Sequence, residues 1–318
     1  MSHFLIAWNR FWFRPRTATT LALIRIATGA MLAYVHLVWA LRLSDFMGPH
    51  ALIHGELIKR FHREDFAWSY LWHIDSMPIL WTHQCIAILV AIGMCVGVLT
   101  RLATPLAWFM TLMVCHRMTG FLFGLDQVVM MLSMYLMIAP TGSVWSIDAW
   151  LAKRHEKSDQ RSRLGQSRLG QWLFPSVKAS SMVTVSTRLI QIHLCIVYLF
   201  GGIAKLRGEM WWDGTAIWFS AVAFEYQSLD LTWLGRFPVL VAIITHVTVF
   251  WEAFYCALVW QRWCRPIILA IAFAVHGGIG VFLGMITFGS MMMVANVAFI
   301  EPAWIERLFD RFFVRHNA

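Results

Sequence analysis

The chain has 318 residues, of which 59% are hydrophobic and 14% are charged, and its formal net charge is +9. Ordinary soluble domains are about 45–50% apolar and about 25% charged, so the composition excludes a typical soluble enzyme. Basic loops on the cytoplasmic side of a membrane protein account for the positive charge, and no nucleic-acid partner is expected. We predict an integral, multi-pass membrane protein whose first partner is the lipid bilayer.

Uncharged stretches of membrane-spanning length divide the chain. No Asp, Glu, Lys or Arg occurs in 76–100, 127–147 or 266–300, and a span needs about 20 residues. The longest stretch would be about 52 Å long as one helix, which exceeds the ~30 Å hydrocarbon core, so we divide it near Gly284. The predicted fold class is all-α, a polytopic bundle of about eight transmembrane helices. The predicted spans are 18–40, 83–100, 102–118, 125–140, 187–206, 237–260, 266–283 and 285–300.

Basic residues set the predicted orientation. The stretch 153–188 holds eight Lys or Arg, and such loops face the cytoplasm, so the loop at about 150–186 is predicted to be cytoplasmic. Counting spans outward from this loop places both termini in the cytoplasm. The predicted organisation is an amphipathic segment at 1–17, a transmembrane bundle at 18–302 and a basic tail at 303–318.

The N-terminal segment combines aromatic and basic residues. Phe4, Trp8 and Phe11 recur at helical spacing beside Arg10 and Arg14, a pattern typical of a helix on the membrane surface. An ordinary interfacial flank explains the pattern equally well. We expect the segment to be retained, because no small-residue cleavage site follows the next apolar stretch.

A lysine lies near the end of one predicted span. The segment 194–214 reads LCIVYLFGGIAKLRGEMWWDG, so Lys205 follows Gly201 and Gly202 in apolar surroundings. A charged side chain near mid-bilayer costs roughly 2.5–3.5 kcal/mol or more, and burial favours the neutral amine, which can act as a base. A lysine at the end of a span can also extend to the membrane surface without a chemical role. The predicted orientation puts Lys205 toward the outer side.

Three regions of the sequence resemble the vitamin K-dependent γ-carboxylase family. The segment AVHGGIGVFLGMITFGSMMMVANVAFI, which contains His276, resembles a pair of that family's spans. FLFGLDQ at 121–127 and VWSIDAW at 144–150 resemble its short outer motif and the S-x-D segment after the next span. The resemblance covers about 14–302, the membrane portion that bacterial sequences share as the HTTM domain. The third region carries the family's lysine pattern on Tyr198, Gly201 or Gly202, Lys205, Leu206, Trp211 and Gly214.

The resemblance implies a membrane enzyme that acts on a reduced naphthoquinone of the vitamin K or menaquinone type. It implies O2 and CO2 as co-substrates, a quinone epoxide as product and γ-carboxylation of glutamate as the coupled reaction. The role of catalytic base falls on Lys205, and that of the functional histidine on His276. The further residues predicted for the site are His116, Tyr198, Trp211, Glu252 and Asp126 as supporting or substrate-binding residues, and Gly202, Gly277 and Gly278 as cofactor-binding residues.

The sequence departs from the family's pattern at three points. Animal members carry two adjacent lysines where this chain has Ala204 and Lys205. Thr119 stands in the place of a functional histidine, and we carry that role to the nearest one, His116. Family carboxylases continue into a large β-rich domain that helps hold the peptide substrate, whereas this sequence ends at Ala318. A peptide or a separately encoded soluble partner therefore belongs to the prediction.

Glu252 is the only acid in the predicted span 237–260. A buried carboxylate needs a partner, and the basic residues considered are His246, Arg25 and Arg188. Six residues separate His246 from Glu252, which places them about 240° apart around a helix. We therefore predict a partner on another helix, either in a structural ion pair or in a functional site.

Arg25 lies within the first predicted span and needs a carboxylate or several carbonyls. Asp126 and Asp148 are the carboxylates considered, although each can instead cap a helix. His276 also has a purely structural explanation, as a helix histidine that hydrogen-bonds to a neighbouring carbonyl.

Histidine and cysteine spacing gives little support for a metal or a dithiol. His50 and His54 would share one face if their loop were helical, but no third ligand follows, so no metal is expected. The six cysteines include no CxxC pair and are interpreted as packing residues.

Two other functions fit the sequence. One is a quinone- or lipid-binding membrane protein without turnover. The other is a proton-coupled transporter, although no inverted repeat is visible. The ionisable residues in spans that indicate transport are Arg25, Lys205, Glu252 and His276.

Overall fold

Hydrophobic helices make up the described protein. The computed structural model describes residues 3–157, 179–226 and 228–311. The α-helices in these ranges are α1 (His3–Phe13), α2 (Thr19–Ala40), α3 (Leu43–Met47), α4 (Gly55–Phe61), α5 (Met77–Val96), α6 (Thr100–Arg117), α7 (Gly124–Leu136), α8 (Ile147–Lys157), α9 (Ser181–Leu206), α10 (Glu209–Trp212), α11 (Ala216–Val222), α12 (Pro238–Leu258), α13 (Arg265–Phe282), α14 (Ile286–Asn296) and α15 (Pro302–Phe309). Short 3-10 helices cover Tyr70–His73, Thr119–Phe121, Thr141–Ser143, Thr232–Arg236 and Val297–Phe299.

Five helices are long and apolar enough to cross a membrane, namely α2, α5, α9, α12 and α13. The number is six if Ile286–Phe299 and Pro302–Phe309 count as one broken span. The described chain is therefore all-helical and compatible with an integral membrane protein, but the predicted count of eight is not confirmed. A helix covers most of each predicted span, yet α7 and α14 have only 13 and 11 residues, short of the ~20 that a span needs.

Glycine and proline explain where several helices begin and end. The long uncharged tract divides as predicted, because α13 ends at Phe282 and α14 begins at Ile286. Gly284 between them has a φ of +70°, a left-handed conformation that residues with a side chain rarely adopt. Helix α5 begins at Met77 rather than near 83, with Pro78 in its first turn, where the missing N–H costs no hydrogen bond.

Part of the predicted organisation lies outside the described residues. The basic loop at about 150–186 is described only as far as 157 and again from 179, and the basic tail at 303–318 only as far as 311. Within the predicted amphipathic segment, α1 is helical and exposes Phe4 and Trp8, whose rings stack 6.1 Å apart. The cytoplasmic termini and the outward-facing Lys205 stay predictions.

The chain divides into two compact units, of which the first comprises Met1–Arg188 and Ile300–Ala318. In this unit α2 packs against α5 and α7. The hydroxyls of Thr17 and Thr19 donate to Glu306 at 3.1 and 2.5 Å. These two bonds attach α15 to the beginning of α2.

The buried arginine of α2 is held by carbonyl oxygens. Arg25 donates to the carbonyls of Met94, Cys95 and Trp145 at 2.5, 2.9 and 2.7 Å. The first two lie in the last turn of α5, where the helix dipole is negative and a cation is stabilised. The sequence left two kinds of partner open for Arg25, a carboxylate or several carbonyls, and the structure shows the carbonyls.

Both aspartates considered as partners of Arg25 accept hydrogen bonds at helix starts. Asp148 accepts from the backbone N–H groups of Leu99 and Thr100, both at 2.8 Å, and from the Thr100 hydroxyl at 2.8 Å. It therefore caps α6 and not α8, the helix that contains it. Asp126 accepts from the N–H of Phe123 at 3.0 Å and caps α7. The acids of the two motifs at 121–127 and 144–150 thus have structural roles.

The second unit comprises Leu189–Phe299. It contains the C-terminal part of α9 and helices α10 to α14, and α12 packs against α11 and α13. Helices α13 and α14 pack so closely that a Cβ on Gly289 would collide with the carbonyl oxygen of His276. This unit contains most of the predicted site residues.

We expect Asp148→Ala to lower the free energy of unfolding by about 2 kcal/mol, because the N–H groups of Leu99 and Thr100 lose their acceptor. Thermal unfolding in lipid nanodiscs measures the change. Asp45→Ala is the matched control: Asp45 forms an exposed pair with Arg42, and we expect an effect below about 0.5 kcal/mol. Equal effects of the two substitutions would contradict the capping role of Asp148.

Candidate functional site

An ion pair between two candidate spans is the centre of the site. Lys205 Nζ, at the end of α9, donates to Glu252 Oε2 of α12 at 2.6 Å. The two side chains are 28% and 11% exposed. The Lys205 ammonium also lies 5.5 Å from the centre of the Trp211 ring, within the range of a cation–π interaction. The lysine is therefore partly exposed, with a carboxylate and an aromatic face as its partners.

The pair confirms one expectation about Glu252 and corrects another. Its partner is on another helix, as predicted from the helical spacing. That partner is Lys205, which was not among the three basic residues considered for it. His246 instead places Nε2 3.1 Å from the carbonyl oxygen of Trp212.

Two adjacent glycines let α9 approach α12 closely enough for the pair to form. A Cβ on Gly202 would lie 2.6 Å from the backbone nitrogen of Ala253, and a Cβ on Gly201 would lie 3.4 Å from Glu252 Oε2. Gly202 was predicted to bind a cofactor. In the structure the backbone of α12 occupies the space where a Cβ on Gly202 would lie. The lack of a side chain at Gly202 therefore allows the two helices to pack closely.

The turn after α9 brings Trp211 over Lys205. Gly214 has a φ of +81°, and a Cβ there would lie 2.7 Å from the Cβ of Ala242, so the W-x-x-G pattern requires glycine at this position. The hydroxyl and N–H of Thr215 donate to Asp213 at 2.6 and 2.9 Å. These bonds hold the pKa of the exposed Asp213 carboxyl below its usual value.

A hydrogen-bonded network of four buried side chains lies deeper in the second unit. Tyr198 Oη is 2.8 Å from His276 Nε2. Asn296 donates to Tyr198 Oη at 2.8 Å, and Tyr255 donates to Asn296 Oδ1 at 2.6 Å. The exposed fraction of each side chain is 3% or less. The structure thus joins two predicted site residues, Tyr198 and His276, to two that the sequence analysis missed.

Aromatic rings enclose this network. The ring centres of Tyr198 and Tyr255 are 4.2 Å apart, and Trp251 lies 4.9 Å from Tyr198. Trp251 is itself fixed by a 3.0 Å hydrogen bond from Nε1 to the carbonyl oxygen of Ile268. Because Tyr198 is seven residues before Lys205 on the same helix, the two share a face and are about 10 Å apart along the axis.

His276 has an unpaired nitrogen and open space beside its helix. None of the described residues hydrogen-bonds to its Nδ1, so the alternative explanation, a bond to a neighbouring carbonyl, is not observed. A Cβ on Gly277 would meet no atom within 4 Å, and one on Gly278 would meet only Phe282, at 3.7 Å. The two glycines predicted to bind a cofactor are therefore unobstructed where a Cβ would lie.

Two predicted supporting residues belong to the first unit and have local partners there. His116 Nδ1 is 2.8 Å from the carbonyl oxygen of Trp68, and Asp126 caps α7. Thr119, which stands in the place of the family's histidine, has its hydroxyl 2.9 Å from His62 Nε2. None of these contacts involves the ion pair or the tyrosine network.

The first unit also contains a buried polar cluster that the sequence analysis missed. His36 Nε2 lies 3.1 Å from the Thr111 hydroxyl, and Gln84 donates to the His36 carbonyl. Tyr70 Oη lies 2.6 Å from His83 Nδ1, and burial raises the pKa of Tyr70 above its usual value. These bonds connect α2, α5 and α6, which gives them a role in helix packing.

The described residues contain no group of three His, Cys, Asp or Glu side chains that could hold a metal ion. The loop with His50 and His54 is not helical, so the condition under which they would share a face is not met. The six cysteines are free thiols.

We expect opposite results for the same substitution at two helical glycines. Gly202→Ala should lower the melting temperature in nanodiscs, because the new Cβ would force α9 away from Ala253, at a typical cost of about 1–3 kcal/mol. Gly277→Ala should leave stability unchanged or raise it by up to about 1 kcal/mol, since alanine is the better helix former. Similar melting temperatures for both variants would argue against the close packing at Gly202.

Comparison with protein-family models, with curated proteins and with solved structures yields no match to this chain. The resemblance to the vitamin K-dependent γ-carboxylase family therefore depends on the sequence motifs alone. The family membership, the naphthoquinone, O2 and CO2 that it implies stay predictions.

Proposed function

We propose that the protein is a membrane enzyme of the vitamin K-dependent carboxylase type. In this proposal the Lys205–Glu252 pair accepts a proton from a reduced naphthoquinone, and His276 orients the quinone. A reduced naphthoquinone bound there would react with O2 to give its 2,3-epoxide and water, and this reaction would supply the strong base that removes a proton from glutamate before CO2 adds. The observation that carries the proposal is the 2.6 Å contact between Lys205 and Glu252.

The pair can take up one proton whichever way its own proton lies. As an ammonium and a carboxylate, it can accept at Glu252. As an amine and a carboxylic acid, it can accept at Lys205. In both cases the net charge of the pair changes from zero to +1. The sequence predicts a lone neutral lysine, whereas in the structure Lys205 is paired with a carboxylate.

The surroundings of His276 fit an aromatic, uncharged ligand. Tyr198, Trp251 and Tyr255 provide an apolar aromatic wall, and Gly277 and Gly278 leave space beside the helix. A strong base is destroyed by water, so a site for such chemistry requires burial. The tyrosine network is buried, whereas the Lys205 side chain is 28% exposed, and in this proposal Lys205 passes the proton on.

The test is the formation of the quinone 2,3-epoxide. We expect purified protein in lipid nanodiscs, supplied with reduced menaquinone or vitamin K and O2, to form epoxide that mass spectrometry detects. Lys205→Ala should lower the rate at least about 100-fold, the usual contribution of a general base. Glu252→Gln should lower the rate as well, because it removes one of the two positions for the proton.

Arg207→Ala is the matched control, since Arg207 is an exposed basic residue two positions after Lys205. It should retain the wild-type rate. Each variant is first checked for quinone binding, so that a loss of rate is separated from a loss of folding. Quinone binding without epoxide in the wild type would contradict the enzyme and leave a binding protein.

A second candidate, proton-coupled transport, is favoured by one observation. The Lys205–Glu252 pair joins two candidate spans, and ionisable pairs between spans are typical of proton pathways. A transporter would move protons in proteoliposomes without O2, which a pH-sensitive dye inside the vesicles detects. Proton uptake that requires Lys205 but neither quinone nor O2 would replace the enzyme proposal with this one.

A further inference from the structure

The hydrogen bonds around His276 determine which of its nitrogens carries the proton. The amide of Asn296 has only one consistent orientation. Its Nδ2 lies 2.9 Å from the carbonyl oxygen of Met292, which can only accept a hydrogen bond. Nδ2 therefore uses its second N–H for Tyr198 Oη at 2.8 Å, and Oδ1 accepts from Tyr255 at 2.6 Å. Every polar atom of Asn296 has a defined role.

The orientation of Asn296 fixes the direction of the next bond. Tyr198 Oη accepts from Asn296, so its own hydrogen is available for His276 Nε2 at 2.8 Å. If Nε2 were the donor instead, the hydroxyl hydrogen of Tyr198 would have no acceptor among the described residues, although this side chain is only 2% exposed. Buried polar groups without a partner are costly. The favoured arrangement has Tyr198 donating and Nε2 accepting.

A neutral imidazole with an accepting Nε2 carries its proton on Nδ1. The side chain of His276 is 3% exposed, and no described residue accepts a hydrogen bond from Nδ1. Buried N–H groups in proteins nearly always have an acceptor. The network therefore leaves Nδ1–H of His276 as a buried donor whose acceptor is not among the described residues.

We propose that Tyr198, Asn296 and Tyr255 are positioning residues that fix His276 as an Nδ1–H donor to an acceptor oxygen of an uncharged ring ligand. The aromatic wall disfavours a charged ligand, since no described counter-charge is in hydrogen-bonding contact with His276. The identification of the ligand as a quinone, whose ring oxygens are acceptors, rests on the proposed function.

The proposal is tested on the wild-type protein by NMR of histidine nitrogens. Protein labelled with 15N-histidine is placed in nanodiscs, and the His276 resonances are those missing from His276→Gln. We expect a protonated Nδ1 and an unprotonated Nε2. Addition of 2-methyl-1,4-naphthoquinone should shift the Nδ1 resonance, whereas 2-methylnaphthalene, which has no oxygen, should not. A protonated Nε2, or an Nδ1 resonance unchanged by the quinone, would overturn the proposal.

Substitution of the tyrosine tests the positioning role. Tyr198→Phe removes the donor to Nε2, so we expect a mixture of tautomers and an approximately tenfold weaker binding of 2-methyl-1,4-naphthoquinone. Tyr226→Phe is the matched control, because Tyr226 is 51% exposed in the same unit. An unchanged tautomer and affinity in Tyr198→Phe would refute the role of the network. If Tyr198→Phe does not fold, the wild-type spectrum decides alone.

Failure of this inference and failure of the proposed function give different results. A naphthoquinone that shifts the Nδ1 resonance without any epoxide in the oxygenation assay contradicts the enzyme and supports the donor site. A protonated Nε2 contradicts the donor site even if epoxide forms.

Discussion

Polar groups within apolar helices have to find partners inside the protein, because the hydrocarbon of a membrane provides none. The two units meet this constraint with different chemistry. In the first, Arg25 and Asp148 bind backbone carbonyl and N–H groups at helix ends. In the second, Lys205 and Glu252 bind each other. Backbone partners cannot exchange a proton with a side chain, whereas an amine and a carboxylate can.

The second unit separates its polar groups into two levels along α9. The ion pair lies at the end of the helix, where Lys205 keeps 28% of its side chain exposed. The tyrosine network lies two turns deeper and contains no Asp, Glu, Lys or Arg side chain. The deeper level is surrounded by aromatic rings. Close packing at Gly202 and the left-handed Gly214 hold both levels in place.

Features that depend on one segment of chain were predictable, and features that depend on contacts between segments were not. Runs without charge predicted the helices, and the combination of length and glycine predicted the break at Gly284. Helical spacing excluded His246 as the partner of Glu252, but spacing cannot say which other helix lies opposite, so Lys205 was missed. Asn296 gave a usable signal, since an amide in an apolar span needs a hydrogen-bond partner. Its connection to Tyr198 depends on the crossing of α9, α12 and α14.

The first unit is assembled from both ends of the chain, and this has a consequence for biosynthesis. Thr17 and Thr19 bind Glu306, and Trp145 packs on Phe309 with ring centres 4.8 Å apart. Thr17 and Glu306 are 289 residues apart, so at ~5–20 residues per second the ribosome needs about 15–60 s to deliver the second partner after the first. The second unit ends at Phe299 and is complete before that moment. The unit that begins the chain is therefore the last to be finished.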